Sequence, residues 1–146
     1  MTSDIIRVSA VLITDTAGRA LMVRKHGTAA FMQPGGKPEA GETPAQTAAR
    51  ELAEELGIIV DPGELAPLGT HRTAAANEHG FDVVADCFAL TIADPTGIAA
   101  AAEIAEARWL TLQDLATLTI APLSMKALLP LVWGEAPVSA ALLARD

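Results

Sequence analysis

The segment from Pro34 to Ile58 constrains this chain more than any other. It opens on Pro34-Gly35-Gly36, which breaks helix and strand alike and predicts a tight loop with exposed backbone. A helix must follow. Thr43 is placed to cap it, Pro44 suits its first turn, and Gln46 stands where its side chain can answer the cap. Ala45 to Leu56 are good helix formers, and Gly57 suits the left-handed position past the end. Local chemistry bounds this helix at both ends, so its register can be read. Residues three and four apart share a helix face, which puts Glu51 beside both Glu54 and Glu55. Like charges at that spacing cost roughly a few tenths of a kcal/mol per pair on an isolated helix. A divalent cation reverses the sign of that interaction, and hard cations such as Mg²⁺ prefer carboxylate oxygens. By itself, a glutamate-rich helix face is an ordinary solvated surface.

The remaining elements are mostly strands. Ile5 to Thr14 is apolar and β-branched, Asp15-Thr16-Ala17-Gly18 is a turn, and Ala20 to Lys25 completes a hairpin. Leu65 to Thr73 and Phe81 to Ile92 read as two further strands, joined through Asn77-Glu78-His79-Gly80. Gly97 to Glu106 reads as loop, and Arg108-Trp109-Leu110 as a short strand. Pro122 to Trp133 reads as a second main helix, disturbed at Pro130, and the tail from Gly134 as a short amphipathic appendage. Antiparallel hairpins with few helices between them indicate an α+β sandwich rather than a doubly wound sheet. A length of 146 residues suits one domain, 1–146, with a real core.

Charge and cysteine narrow the function classes. The net charge of −8 opposes a nucleic-acid-binding surface, which needs basic patches to replace counterions. It does not oppose a nucleotide substrate, because divalent cations bridge phosphates to acids. The lone Cys87 excludes an intrachain disulfide and any cysteine zinc cluster, and sits in an apolar run as a core residue would. No apolar run is long enough to span a membrane, and Met1 to Ile6 does not read as a signal peptide. A cytoplasmic setting is expected.

The carboxylates sit within a larger pattern. Gly36 is followed by Glu42, then Arg50-Glu51-Leu52, Glu54-Glu55 and Gly57-Ile58. Seven of these positions demand one residue type each. A chance match at a given start is on the order of 10⁻⁸ to 10⁻⁹ at average residue frequencies. This run, 36–58, resembles the Nudix box at every defined position, and the strand order around it is similar to a Nudix domain. The resemblance implies an α/β/α sandwich with a mixed, partly antiparallel sheet, and a hydrolase that acts on phosphorus-containing acid anhydrides. It implies Mg²⁺ or Mn²⁺ as cofactor. Glu51, Glu54 and Glu55 match its metal-holding carboxylates, and the Gly35 carbonyl its backbone ligand. Gly36 lets the backbone approach the ions. Arg50 resembles the arginine that orients the glutamates, and Glu42 a supporting group. Glu51 is the preferred general base, with Glu103 the preferred later-loop carboxylate and Glu106 the weaker one.

Substrate contacts are expected from Arg24 and Lys25 at a strand end near the site, with a surface role as the alternative. Gln33 departs from the apolar or aromatic residue expected before Pro-Gly-Gly and bears on base recognition. Phe31, Arg72, Asp86 and Ser124 are further pocket candidates, Phe31 equally a core residue. His26, His71 and His79 lack metal-ligand spacing, and Trp109 and Trp133 read as core or interface aromatics. The chain has no tyrosine, Arg stands at 72, and the marks of other Nudix groups are missing. The resemblance is therefore to the MutT-like group. It implies cleavage of a nucleoside diphosphate linked to another moiety, with a nucleoside triphosphate, oxidised or canonical, favoured over ADP-ribose. The partner expected is a small nucleotide, with neither nucleic acid nor membrane; relatives leave a homodimer open. Two alternatives stand beside this. One is a catalytically silent Nudix module that binds a nucleotide, which the intact glutamate set opposes. The other is an isoprenoid diphosphate isomerase, which would need a cysteine in the site.

Overall fold

The computed structural model describes residues 4–76 and 78–134. Strand β1 (Asp4–Asp15) is the centre of a mixed six-stranded sheet. It pairs antiparallel with β2 (Ala20–Lys25) at one end and parallel with β5 (Phe81–Ile92) along its whole length. Strand β4 (Ala66–Ala74) lies antiparallel on the outer side of β5. Strand β6 (Ile104–Leu110) lies antiparallel on the outer side of β2. The β1–β2 turn is held by Asp15, whose Oδ1 accepts from the Ala17 and Arg19 backbone N–H groups at 3.0 and 2.8 Å.

Alternation along the strands feeds two cores, as a sheet covered on both faces requires. Val11, Ile13, Leu21 and Val23 face one way, toward Ala48, Leu52 and Leu56 of α1 (Pro44–Leu56). Leu12, Ala20 and Met22 face the other way, toward Leu128 and Leu129. The expected α+β sandwich with a mixed sheet is what the chain forms. Cys87 is buried in the second core, as its apolar surroundings indicated. Helix α1 is capped as its sequence dictates. Thr43 Oγ1 accepts from the Gln46 N–H at 3.2 Å, and Gln46 Oε1 accepts from the Thr43 N–H at 2.9 Å. Gly57 ends the helix at φ 72°.

Three sequence expectations need correction. Gly35-Gly36 is not a loop but a two-residue strand, β3 (Gly35–Gly36), paired with Ser9 and Ala10 of β1. The pairing exists because β1 and β2 diverge past their turn, and the segment 31–36 wedges between them: Val11 N–H donates to Pro34 O at 3.0 Å, and Val23 and Met32 exchange two bonds at 2.8 Å. A Cβ at Gly35 would run into the backbone of Ser9 and Ala10, so glycine alone permits this approach. Second, β6 starts at Ile104, not Arg108. Its first half is Ile-Ala-Glu-Ala, poor in strand formers, and pairing with β2 overrides that propensity. Third, residues 122–133 do not form one regular helix. A π turn, Ser124–Leu128, precedes α2 (Pro130–Trp133). Pro130 has no N–H to donate, and Leu129 N–H donates instead to Ser124 O, five residues back, at 2.8 Å. Asn77 and the tail 135–146 lie outside the described residues. No described helix is long and apolar enough to cross a membrane.

Candidate active site

Helix geometry sorts the three α1 glutamates by environment. Successive residues turn by 100°, so Glu54 and Glu55 diverge while Glu51 lies between them. Glu55 falls on the face of Leu52 and Leu56 and is 2% exposed. Glu51 is half-buried at the border. The Glu54 side chain is 48% exposed, and its carboxylate accepts from Arg50 Nη1 at 2.7 Å.

The fourth acid comes from across the sheet. The loop before β6 docks on the end of α1: Ala99 N–H donates to Leu56 O at 3.2 Å, and Ala101 N–H to Glu55 O at 2.9 Å. Carbonyls in the last helical turn, which have no partner inside the helix, are met this way. Ala102 then takes φ 55°, an uncommon conformation for a residue with a Cβ, and the chain turns into β6. Carboxylate oxygens of Glu51, Glu55 and Glu103 all lie within 4.8 Å of one another.

Their surroundings set their charge. Burial pushes Glu55 up to about 8, and the nearby Glu51 and Glu103 push the same way, against the Gly35 N–H that donates to Glu55 Oε1 at 3.1 Å. Glu55 Oε2 is buried with no hydrogen-bond partner. Burial also raises Glu51, against the pull of Arg50. Gly36 faces Glu51 so closely that a Cβ there would meet its carboxylate. An orphaned buried oxygen, converging acids and a backbone with no side chain in the way fit a hard divalent cation.

Arg50 organises the outer side of this cluster. Its guanidinium donates to Glu42 at 2.6 and 3.0 Å, to Glu51 at 3.2 Å, to Glu54 at 2.7 Å and to the Lys37 carbonyl at 2.9 Å. The hydrogen bond from Arg50 holds Glu42 at about 2, and Arg50 is raised in turn. Thr47 Oγ1 adds a 3.0 Å bond to Glu42. The loop from β3 to α1 is thus tied to the helix through one side chain.

A cleft of about 360 Å³ runs from the cluster across the gap between β1 and β2. Gly35, Gly36, Glu55, Glu103, Lys25 and Gln33 line it. Lys25 Nζ stands 3.8 Å from Glu103. Arg24 does not line the cleft: alternation turns it away, toward Glu106 at 3.5 Å and the Thr28 carbonyl at 3.0 Å. Ser124 also lines the cleft, whereas Arg72 pairs with Asp82, Asp86 with Thr70, and Phe31 is core. Lys37 lines the cleft too and was not among the sequence candidates; a cation directly after Gly36 was the available signal.

Comparison with known proteins gives the same family as the box. An 8-oxo-dGTP diphosphatase of Haemophilus influenzae is 41% identical over 69 residues, 44% of this chain and 51% of that one. An RNA pyrophosphohydrolase of Halorhodospira halophila is 39% identical over 62 residues, 42% of this chain and 33% of that one. The chain thus spans about half the length of the first curated relative and a third of the second. The crystal structure of the MutT protein from Methanosarcina mazei Go1 shares the fold at a TM-score of 0.61 and 20% identity, covering 100% of this chain and 99% of that one. Residues 5–132, nearly everything outside the two ends, match the NUDIX domain, and the chain belongs to that family.

Proposed function

We propose that this protein is a divalent-metal-dependent pyrophosphohydrolase that cleaves a phosphoanhydride bond in a nucleoside diphosphate linked to another moiety. A nucleoside triphosphate, canonical or oxidised, is the favoured substrate over ADP-ribose. The observation that carries this reading is the meeting of Glu51, Glu55 and Glu103 around a buried carboxylate oxygen that has no partner. The names of the two curated relatives, one acting on 8-oxo-dGTP and one on RNA, support phosphoanhydride chemistry.

Glu51, Glu55 and Glu103 would hold Mg²⁺ or Mn²⁺, with the Gly35 carbonyl beside them. Such an ion neutralises phosphate charge and acidifies the attacking water. The chain supplies the rest. Lys25 and Lys37 bring positive charge to the cleft, where substrate phosphates meet it. Glu51 is the preferred residue to take the proton of the attacking water, since its carboxylate stands at the border of the cluster beside Glu55 and Glu103. Glu103, at the more exposed rim, is the other carboxylate within reach. Arg50 is a positioning residue: it aims Glu51 and restrains Glu54. Glu54 belongs to the proposed metal set by its place in the box, and here its carboxylate is engaged by Arg50.

The test is turnover of a panel with Mg²⁺ or Mn²⁺: canonical and 8-oxo nucleoside triphosphates, ADP-ribose and dinucleoside polyphosphates. Metal-dependent release of pyrophosphate from a nucleoside triphosphate, lost in Glu55→Gln, is the expected result. Nucleotide binding with no cleavage of any member would replace the hydrolase reading with that of a silent binding module.

A further inference from the structure

The loop that delivers Glu103 turns on a strained corner. Ile104 N–H donates to Ala101 O at 3.1 Å and closes a four-residue turn, 101–104, with Ala102 and Glu103 at its corners. Ala102 has φ 55° and is alone among the described non-glycine residues in having a positive φ, so Glu103 keeps a negative one. That sign pattern is the one of a type II′ turn, whose first corner favours glycine. A residue with a Cβ is disfavoured there. Ala102 is exposed, so no core packing holds it in this conformation.

The backbone on either side holds it instead. Ala101 N–H donates at 2.9 Å to the carbonyl of Glu55, the residue whose carboxylate is most deeply buried in the cluster. Glu103 O accepts from His26 N–H at 3.0 Å, just past the end of β2. Beyond the turn, β6 carries a bulge: Arg24 lies opposite Glu106 and Lys25 opposite Ile104, so Ala105 is an extra residue on β6. The bulge sets Ile104 on the face of Leu52 and Leu56, where it is 3% exposed. Helix end, turn and bulge thus clamp the backbone around Glu103. Its side chain is 58% exposed, and its one ion-pair partner, Lys25, stands 3.8 Å away. Packing therefore does not aim this carboxylate, yet it lies within 4.8 Å of those of Glu51 and Glu55. The backbone corner is what aims it.

We infer that Ala102 is a positioning residue, whose positive-φ corner aims the Glu103 carboxylate at the divalent cation proposed for the cluster. The inference rests on the proposed hydrolase reading for that cation. Glycine keeps the corner, whereas a β-branched residue is driven out of it and swings Glu103 away from Glu51 and Glu55. Binding of Mn²⁺ to the full chain without nucleotide, followed by titration calorimetry, tests this apart from turnover. The unaltered protein is compared with Ala102→Gly, Ala102→Val, Glu103→Gln and the double variant Ala102→Val/Glu103→Gln. Melting curves confirm that each folds; Ala102→Leu, unbranched at Cβ and so milder, replaces Ala102→Val if that variant does not. Glu103→Gln and Ala102→Val are each expected to weaken Mn²⁺ binding at least about tenfold, and Ala102→Gly to bind as the parent does. The double variant should bind no more weakly than Glu103→Gln alone, because Ala102 acts only through Glu103. Parent-like binding by Ala102→Val, or a full further loss in the double variant, overturns the inference. The expected coupling found alongside no cleavage of any nucleotide sinks the hydrolase reading and leaves the positioning role standing.

Discussion

At the scale of single residues, three glutamates in five positions of one helix do three different things. Glu55 is buried among leucines, Glu51 stands at the border, and Glu54 is tied to Arg50 in solvent. Substitution should follow that order of burial. Glu55→Gln is expected to cut turnover by orders of magnitude with the fold intact, because the amide keeps the shape but loses the anionic oxygen. Glu54→Gln is expected to cost less, since its carboxylate is turned to Arg50; steady-state rates at saturating Mg²⁺ compare the two, and a larger loss in Glu54→Gln would refute the ranking. Two adjacent glycines give a second contrast. A Cβ at Gly36 meets only the flexible end of Glu51, whereas one at Gly35 meets backbone. Gly36→Ala should therefore melt near the parent and lose activity at least about tenfold through a displaced Glu51. Gly35→Ala should lose stability, by roughly 1–3 kcal/mol or more in denaturant titration.

At the scale of elements, α1 carries the site and owes its position to both ends. Removing the Thr43 cap, as in Thr43→Ala, should cost about 1 kcal/mol in denaturant titration, because the Gln46 N–H loses its acceptor. Activity measured well below the melting point should stay near that of the parent. Arg50 joins the helix to the preceding loop with a planar fork that a lysine cannot reproduce. Arg50→Lys is expected to keep the charge and still lower both melting temperature and turnover. Equal turnover in the lysine variant would mean that charge alone, not the fork, positions Glu51.

At the scale of the whole molecule, the acidic cluster links stability to pH and to metal. Glu55 is raised in the fold from 4.5 to about 8, so the folded state favours its neutral form. That contribution is present in full below about pH 4.5 and is lost as pH rises through about 8. Metal-free protein should therefore fall in melting temperature between pH 5 and 9 relative to Glu55→Gln. Mg²⁺ should restore it at the alkaline end, by about 2.7 kcal/mol at a hundredfold excess over its Kd. Parallel pH profiles of the two proteins would refute the link between Glu55 and stability.

Much of this molecule was legible beforehand, for reasons that lie close along the chain. The capped helix, the β1–β2 hairpin, β4 and β5 follow from caps, turns and alternation, each a matter of neighbours a few residues apart. The box alone named the family. What the tertiary structure decided involves partners far apart in sequence. Gly35-Gly36 became a strand because β1 and β2 part and leave unpaired backbone between them. The alanine-rich start of β6 became a strand because β2 offered a free edge. Glu103 joined Glu55, 48 positions away in the chain, because the loop before β6 satisfies carbonyls at the end of α1. Arg24 and Lys25, equal as neighbours in the sequence, were sent to opposite sides by the pleat. Local chemistry determined α1, the hairpin, β4 and β5, but neither β3 nor the start of β6. Which side chains then meet is settled by backbone groups seeking partners across the fold, and no spacing along the chain records that.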